Sequence, residues 1–505
     1  MLNLATETDI ERLRQAALLL EQENVRLFRR LENLVAELAE ARGEDARSLQ
    51  LEIEILKEQL ANRTKALFGD SSERRSCAEH KTDERKEPRR GHGPREQKVL
   101  PIVEVIHELD EPDQACPSCG GDLQPIAGQF EEADEIDVVE RSFRVVRHKR
   151  QKYRCRCGAG IETALGPDKL VPGGRYSIDF AVDVAIAKFA DHLPLERQVR
   201  QMARDGLDVD SSTLWEQTWF LSQHLLPTYE ANHAHVLSAD VIAVDETWWR
   251  LMKKGGSKRW WVWSVAREDA VSYRLLSSRS TDAARTVLDG YTGVAICDGY
   301  KVYDVLARER EGSDLALAHC WVHVRRKFVE AEPFYPEAGH VVERIGQLYA
   351  IEAEAKRASP EERLARLAAL RAKQSKPVID EIRTLLMTQR ALPRSSLGKA
   401  IAYTSGLWPG LVRFLGDPKI PLDTNGVERA LRGVVVGRKN HYGSRSERGT
   451  RVAALFYSLI ESAKLCGVEP RAYLREATLR AVRNPGTATL ARDLKSQESG
   501  ERIGS

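Results

Sequence analysis

Asp240-Val-Ile-Ala-Val-Asp-Glu-Thr247 is an apolar run carrying a carboxylate, Asp245, and it reads as a buried strand. A second such run, Val294-Ala-Ile-Cys-Asp298, ends on Asp298 and is followed by the turn residue Gly299. Further on, Pro421-Leu-Asp-Thr-Asn-Gly-Val-Glu-Arg-Ala-Leu-Arg432 places capping residues ahead of helical spacing, with Glu428 in the first turns. Two strand-end carboxylates and one helical carboxylate suit a pair of divalent cations. Mg²⁺ takes oxygen ligands and keeps positions for water and phosphate, and paired metals drive in-line phosphoryl transfer. Between Arg429 and Arg451 there are seven Lys or Arg residues and one acid, Glu447. Within it Arg429, Arg432, Arg438, Lys439 and Arg445 are the candidate DNA contacts. Carboxylates for metal beside cations for phosphate point to an enzyme that cuts or joins nucleic acid.

The whole-chain numbers bound this reading. The 505 residues allow two to four domains. A net charge of +2 is nearly neutral, so nucleic-acid binding has to rest on local patches. Eight cysteines are too sparse for a disulfide scaffold, and four of them cluster in one short segment, which suits a reducing compartment and one metal site. No signal-like segment opens the chain, and no run approaches the roughly 20 apolar residues of a membrane span. A cytoplasmic, nucleoid-associated protein is expected.

Residues 1–65 are expected to form a coiled coil. Leu13, Leu20, Leu27 and Leu34 recur every seven residues, and Asn24 sits in the companion seam, where a polar residue fixes register. Gly43 interrupts the pattern before Leu49, Ile53, Leu56 and Leu60 resume it. Such a narrow apolar stripe buries itself against another helix, so a homo-oligomer is expected. Residues 66–100 read as a charged linker. Residues 101–165 read as a small metal module. Ile102 to Ile106 and Val138 to Val146 alternate like strands, and Cys116-Pro-Ser-Cys119 and Cys155-Arg-Cys157 form two hooks. Four thiolates in tetrahedral array hold structural Zn²⁺, and so small a module needs such a staple.

Residues 166–235 read as helical. Leu195 to Ala203, a turn at Gly206 and a second helix capped at Ser211-Ser212-Thr213 have the spacing of a helix-turn-helix that binds DNA. The chain then becomes α/β. Strands are expected at 240–246, 259–266, 270–277, 294–298 and 315–319, with a helix at 281–289, so that an antiparallel meander precedes a parallel crossover. Helical spacing fills about 335–415, too long for a loop, and reads as an inserted subdomain. The catalytic domain is therefore set at 236–460 and a helical tail at 461–505. The fold class is multidomain α/β with α.

This order, with Asp on the first and fourth strands and Glu on a late helix, resembles the ribonuclease H-like fold of DDE transposases. Nearly the whole chain resembles the insertion-sequence-66 family of transposases. The stretches that carry the likeness are Leu67-Phe-Gly-Asp-Ser-Ser-Glu-Arg74, the two cysteine hooks, Asp245-Glu-Thr247, Asp298-Gly-Tyr300, Cys320-Trp-Val-His-Val-Arg-Arg-Lys-Phe328, and Asp423 to Arg432 running into Gly437-Arg-Lys-Asn440. Thr424 stands where the family often has Asn. The resemblance implies a leucine-zipper-like segment, a zinc-binding domain and a DDE catalytic domain with a helical insertion. It also implies Asp245, Asp298 and Glu428 as ligands of Mg²⁺ or Mn²⁺, double-stranded DNA as partner at transposon ends and target, and element-encoded helper proteins. A domesticated, catalytically inactive zinc-containing DNA-binding protein is the alternative.

The local decoys separate by geometry. Glu246 is adjacent to Asp245 and points to the opposite face of a strand. Asp240 also falls on that other face. Asp423 or Thr424 is placed to cap the helix of Glu428. His319 and His323 have metal-compatible spacing, but His319 is expected to end a strand while His323 faces DNA or the sheet. Cys297 and Cys320 are expected to be core thiols.

Overall fold

The computed structural model describes residues 26, 29, 33, 55–58, 142–154, 161–253, 256–310, 315–359 and 361–494. The coiled-coil reading of 1–65 falls almost wholly outside these residues, as do the linker, Cys116, Cys119, Cys155 and Cys157. Residues 1–71 with 143–505 form one unit, and 72–142 a second. The first unit carries the sheet and its helices.

Two short strands, β1 (Lys152–Arg154) and β2 (Ile161–Thr163), pair antiparallel with Arg154 opposite Ile161. They bracket the second cysteine hook. Residues 142–146, expected to be extended in a strand, are irregular instead, and the pairing begins only at Lys152.

Three helices come next: α1 (Ile178–Phe189), α2 (Leu195–Arg204) and α3 (Ser211–Leu237). Gly206 makes the turn between the last two with φ +82°, a conformation glycine adopts without Cβ strain. The residue that caps α3 is Asp210, one position before the expected serines; its carboxylate accepts the Thr213 N–H at 2.7 Å.

The sheet comprises β3 (Val241–Lys253), β4 (Gly256–Ala266), β5 (Val271–Leu276), β6 (Gly293–Cys297) and β7 (Leu315–His319), in the order β5-β4-β3-β6-β7. β3, β4 and β5 form the antiparallel meander, and β6 and β7 add in parallel. Between them lie α4 (Thr281–Val287) and α5 (Lys301–Glu309). The fold is thus mixed α/β. β3 runs well beyond the expected stop at 246. Its second half is rich in β-forming side chains, and Trp248 and Trp249 pair across from Trp261 and Trp260.

Helices cover both faces. Ile242, Val244, Trp263 and Val265 pack with α4 and α5 on one face. Trp249, Val262 and Tyr273 on the other pack against α12 (Glu447–Cys466) and α13 (Pro470–Arg483). The edge strand β5 is closed by side chains. Ser462 and Ser458 on α12 accept the Val271 and Tyr273 N–H groups at 3.0 and 2.8 Å. Asn232 and Tyr229 on α3 donate to the Val271 and Tyr273 carbonyls at 2.9 and 2.6 Å. An edge satisfied in this way cannot template pairing with another chain.

After β7 come α6 (Trp321–Ala331), α7 (Ala338–Ala355), α8 (Arg363–Leu370), α9 (Lys376–Thr388) and α10 (Ser396–Leu411). The last four occupy the segment expected to be inserted. α7, α9 and α10 share a core with α6 and with Ile296 and Ala318 of the sheet, while Leu367 and Leu370 of α8 pack separately on Ile351 and Ala355 of α7. Arg371, almost wholly buried, is held by Glu352 at 2.7 Å and by the carbonyls of Phe414 and Asp417.

The helix of Glu428, α11 (Asn425–His441), is fixed at both ends. Before it, the Leu422 carbonyl accepts the Trp321 N–H at 2.9 Å. After it, Tyr442 (φ +62°) and Gly443 (φ +105°) turn the chain so that Ser444 joins the far half of β3, exchanging hydrogen bonds with Arg250 and Met252 at 3.0 and 2.8 Å. In its middle, Gly437 packs so closely on α12 that a Cβ would lie 1.8 Å from the Tyr457 hydroxyl. Gly437→Ala is therefore expected to destabilise the chain by about 1–3 kcal/mol, the usual cost of overpacking. Denaturant melts of the purified variant check this, and an unchanged midpoint would show that the two helices are not in the contact described.

Candidate active site

Strand register brings the two aspartates together. In the parallel β3–β6 ladder Ala243 lies opposite Ile296, and the pairing ends there. Two residues further along each strand stand Asp245 and Asp298, on the same face because side chains alternate. Asp245 continues in the antiparallel ladder, opposite Ser264 of β4, while Asp298 begins the turn after β6. Both therefore sit at the carboxyl end of the parallel part of the sheet. The Asp298 carboxylate accepts the Tyr300 N–H at 2.9 Å, and the Gly299 N–H donates to the Tyr403 hydroxyl of α10 at 3.2 Å. The helical segment after β7 thus touches the Asp298 turn.

Glu428 lies in the first turn of α11. Its N–H donates to the Thr424 carbonyl at 3.1 Å, and its Oε1 accepts the Thr424 hydroxyl at 3.0 Å. Of the two residues expected to cap the helix, Thr424 takes the N-cap position without a side-chain cap hydrogen bond, and Asp423 before it accepts the Asn425 N–H at 3.0 Å.

The site is crowded with negative charge. Burial first, then the charge of Glu246 with smaller contributions from Asp298 and Glu428, pushes the Asp245 carboxyl up to about 7. A hydrogen bond from the Glu246 N–H at 2.7 Å pulls the other way. Asp298 and Glu428 are thus each within charge range of Asp245. Glu246 itself is neutralised on the other face: Arg279 Nε donates to it at 2.8 Å and the Tyr303 hydroxyl at 2.7 Å. Arg279 in turn stacks on Tyr300, 3.8 Å from the ring centre. Asp240 is engaged at the surface by Lys419 at 2.6 Å. Among the described residues, Asp245 has no such cationic partner. A divalent cation would relieve that crowding, so the carboxylates present fit one.

Of the candidate DNA contacts, Arg429, Arg432, Lys439 and Arg445 are exposed. The first three follow helical spacing along one face of α11. Arg438 is turned inward: it is 9 % exposed, lies 3.8 Å from the centre of the Trp248 ring, and donates to the Trp248 carbonyl and to Thr247 Oγ1. Spacing alone hid this, because Arg438 falls on the α11 face turned to β3.

His319 does end β7, and its Nδ1 lies 3.6 Å from the buried Cys297 Sγ. Cys320 is a buried free thiol, as expected, and His323 stands beside it. The setting of the thiol is not apolar: Sγ, a His323 ring nitrogen and a Glu428 carboxylate oxygen all lie within 4.8 Å of one another.

The family model described as "Transposase IS66 family" matches residues 173–452, and that described as "zinc-finger binding domain of transposase IS66" matches residues 113–158. "Uncharacterized protein y4jD" of Sinorhizobium fredii (strain NBRC 101917 / NGR234) is 36% identical over 406 residues, covering 76% of this chain and 78% of its own. "Uncharacterized protein y4hP" of the same organism is 29% identical over 411 residues, 76% of this chain and 74% of its own. The chain belongs to the IS66 transposase family and carries its zinc-finger domain. Among the described residues, no helix is long and apolar enough to cross a membrane.

The raised Asp245 carboxyl makes a pH prediction for protein in buffer without added divalent cations. The folded value lies above that of an unfolded Asp, about 4. The folded chain therefore keeps a proton that the unfolded chain loses between about pH 4 and 7, and stability falls as pH rises through that window. Asp245→Asn is expected to flatten the fall and to raise the melting temperature above wild type near pH 7.5. Melts across the pH series check it, and an unchanged slope in the variant would remove Asp245 as its source.

Proposed function

We propose that the chain is a DNA transposase that cleaves transposon ends and joins the freed 3′-OH to target DNA by two-metal-ion phosphoryl transfer. The observation that carries this reading is the β3–β6 register, which sets Asp245 and Asp298 at matching positions, with Asp245 half-buried among like charges and without a cationic partner among the described residues. In this reading the α/β part is a ribonuclease H-like DDE domain at 236–460, with the helical insertion at about 335–415. The three carboxylates hold two Mg²⁺ or Mn²⁺ ions, which when bound supply charge to activate the attacking oxygen and stabilise the leaving one.

The chain's own residues do the rest. The β3–β6 register fixes two carboxylates side by side, so little reorganisation is needed on loading. α11, anchored at both ends, carries the third to them. Arg429, Arg432, Lys439 and Arg445 offer exposed cations to the DNA backbone, which holds the scissile phosphate in line. Cys116, Cys119, Cys155 and Cys157 are the proposed zinc ligands. α2 and α3 are the proposed helix-turn-helix, and residues 1–65 the proposed oligomer-forming coiled coil.

Asp245→Asn, Asp298→Asn and Glu428→Gln are each expected to abolish Mg²⁺-dependent cleavage and joining on cognate transposon ends while leaving DNA binding largely intact. Each change keeps side-chain volume and removes one anionic ligand. Full activity in any one variant would take that residue out of the site.

Combining Arg429→Ala, Arg432→Ala and Lys439→Ala should weaken DNA binding about equally across sequences. It should also lower the slope of log affinity against log salt by about three, near one for each cation withdrawn from a phosphate. Arg438→Ala is expected to lower stability instead, because it strips a buried cation from Trp248. Salt titrations and melts of the variants separate the two outcomes. A slope unchanged in the triple variant would place the DNA elsewhere.

A further inference from the structure

Cys320 is the N-cap residue of α6, and His323 lies three positions later in its first turn, so both lie on one face of that helix. The start of α11 faces them with Glu428. One donor atom from each residue falls within a sphere of mutual distances no longer than 4.8 Å, one sulfur, one nitrogen and one oxygen. Cys320 is 1 % exposed, and His323 Nδ1 is buried with no hydrogen-bond partner. Thr424 joins the group from the side: its hydroxyl lies 3.3 Å from Cys320 Sγ and 3.0 Å from Glu428 Oε1, and its N–H points to the same sulfur at 3.4 Å.

This arrangement differs from a packed core thiol. The other buried cysteine near the site, Cys297, has its sulfur beside the Ala318 carbonyl and His319. At Cys320 a thiol, an imidazole with an unpaired buried nitrogen and a carboxylate converge, which is costly to bury with nothing between them. We infer that Cys320, His323 and Glu428 bind a borderline-soft divalent ion of the Zn²⁺ class. Glu428 then stands between two sites, the mixed-donor one with Cys320 and His323 and the all-oxygen one of the proposed function.

The donor chemistry selects the ion. Mg²⁺ takes oxygens and near-octahedral geometry, whereas thiolate with imidazole favours zinc and its neighbours. Three protein ligands leave the fourth tetrahedral position open, as in zinc sites that admit water or substrate. Thr424, within reach of both sulfur and carboxylate, orients the two ligands, a task whose loss usually costs tenfold or more in metal affinity. The inference deepens the proposed function by giving Glu428 a second ligand set, and it rests on that reading only for Glu428's catalytic part.

The test uses the full chain as purified, dialysed, and then titrated with Zn²⁺ and separately with Co²⁺. Wild type and Asp245→Asn are expected to take up about one equivalent beyond the zinc finger, and bound Co²⁺ should show sulfur-to-cobalt charge-transfer absorption. Cys320→Ser should lose that band, and His323→Gln and Cys320→Ser should each lose at least tenfold in affinity for the added ion. Uptake and spectra identical to wild type in both variants would overturn the inference and leave zinc at the finger alone. Should Cys320→Ser fail to fold by circular dichroism, the half-buried His323→Gln decides by the same criterion. Strand transfer by Asp245→Asn, measured in parallel, tests the transposase reading separately: activity there would sink that reading while leaving the zinc result standing.

Discussion

The constraint on which the site depends is the register between two parallel strands. Ala243 opposite Ile296 puts Asp245 and Asp298 at matching positions on one face. A slip by one residue would turn Asp245 into the α4–α5 side and bring Glu246 round in its place. The alternation of Ile242 and Val244 into that buried side opposes the slip, because it would take both out of the core they share with α4 and α5. α11 then has to cross from the end of β7 to the far half of β3, and its two anchors, at Leu422 and Ser444, fix where Glu428 stands.

Two neighbouring carboxylates meet opposite fates. Glu246 is as buried as a core residue, yet Arg279 and Tyr303 satisfy it, and Arg279 is itself steadied by Tyr300 and Trp261. Removing Arg279 would leave an uncompensated buried charge, typically a loss of about 3–5 kcal/mol. Asp245, one residue away, has a backbone N–H and the repulsion of three other acids. The first arrangement holds structure together. The second stores a demand for positive charge, which is what a metal-dependent site requires.

Much of this was legible in the chain. Apolar runs bounded by turn residues marked the five strands, and the tight succession of the first three gave the antiparallel meander. Asp245 and Asp298 stood out because each lies at or near the end of an apolar run, and the register of β3 and β6 sets them at matching positions. What could not be read were contacts between distant segments. The extension of β3 to Lys253 depends on cross-strand tryptophans and on Ser444, which lies far along the chain. The inward turn of Arg438 depends on Trp248, and the closing of the β5 edge on serines of α12 that look unremarkable in a helix. Cys320 and His323 could be paired by spacing alone, but their third partner, Glu428, is brought to them only by the fold.

The most direct measurement is an anomalous difference map from Mn²⁺-soaked crystals of the full chain bound to a transposon end. Density is expected between the carboxylates of Asp245 and Asp298 and against that of Glu428. Well-diffracting, DNA-bound crystals with manganese density elsewhere, and none beside Asp245, would contradict it.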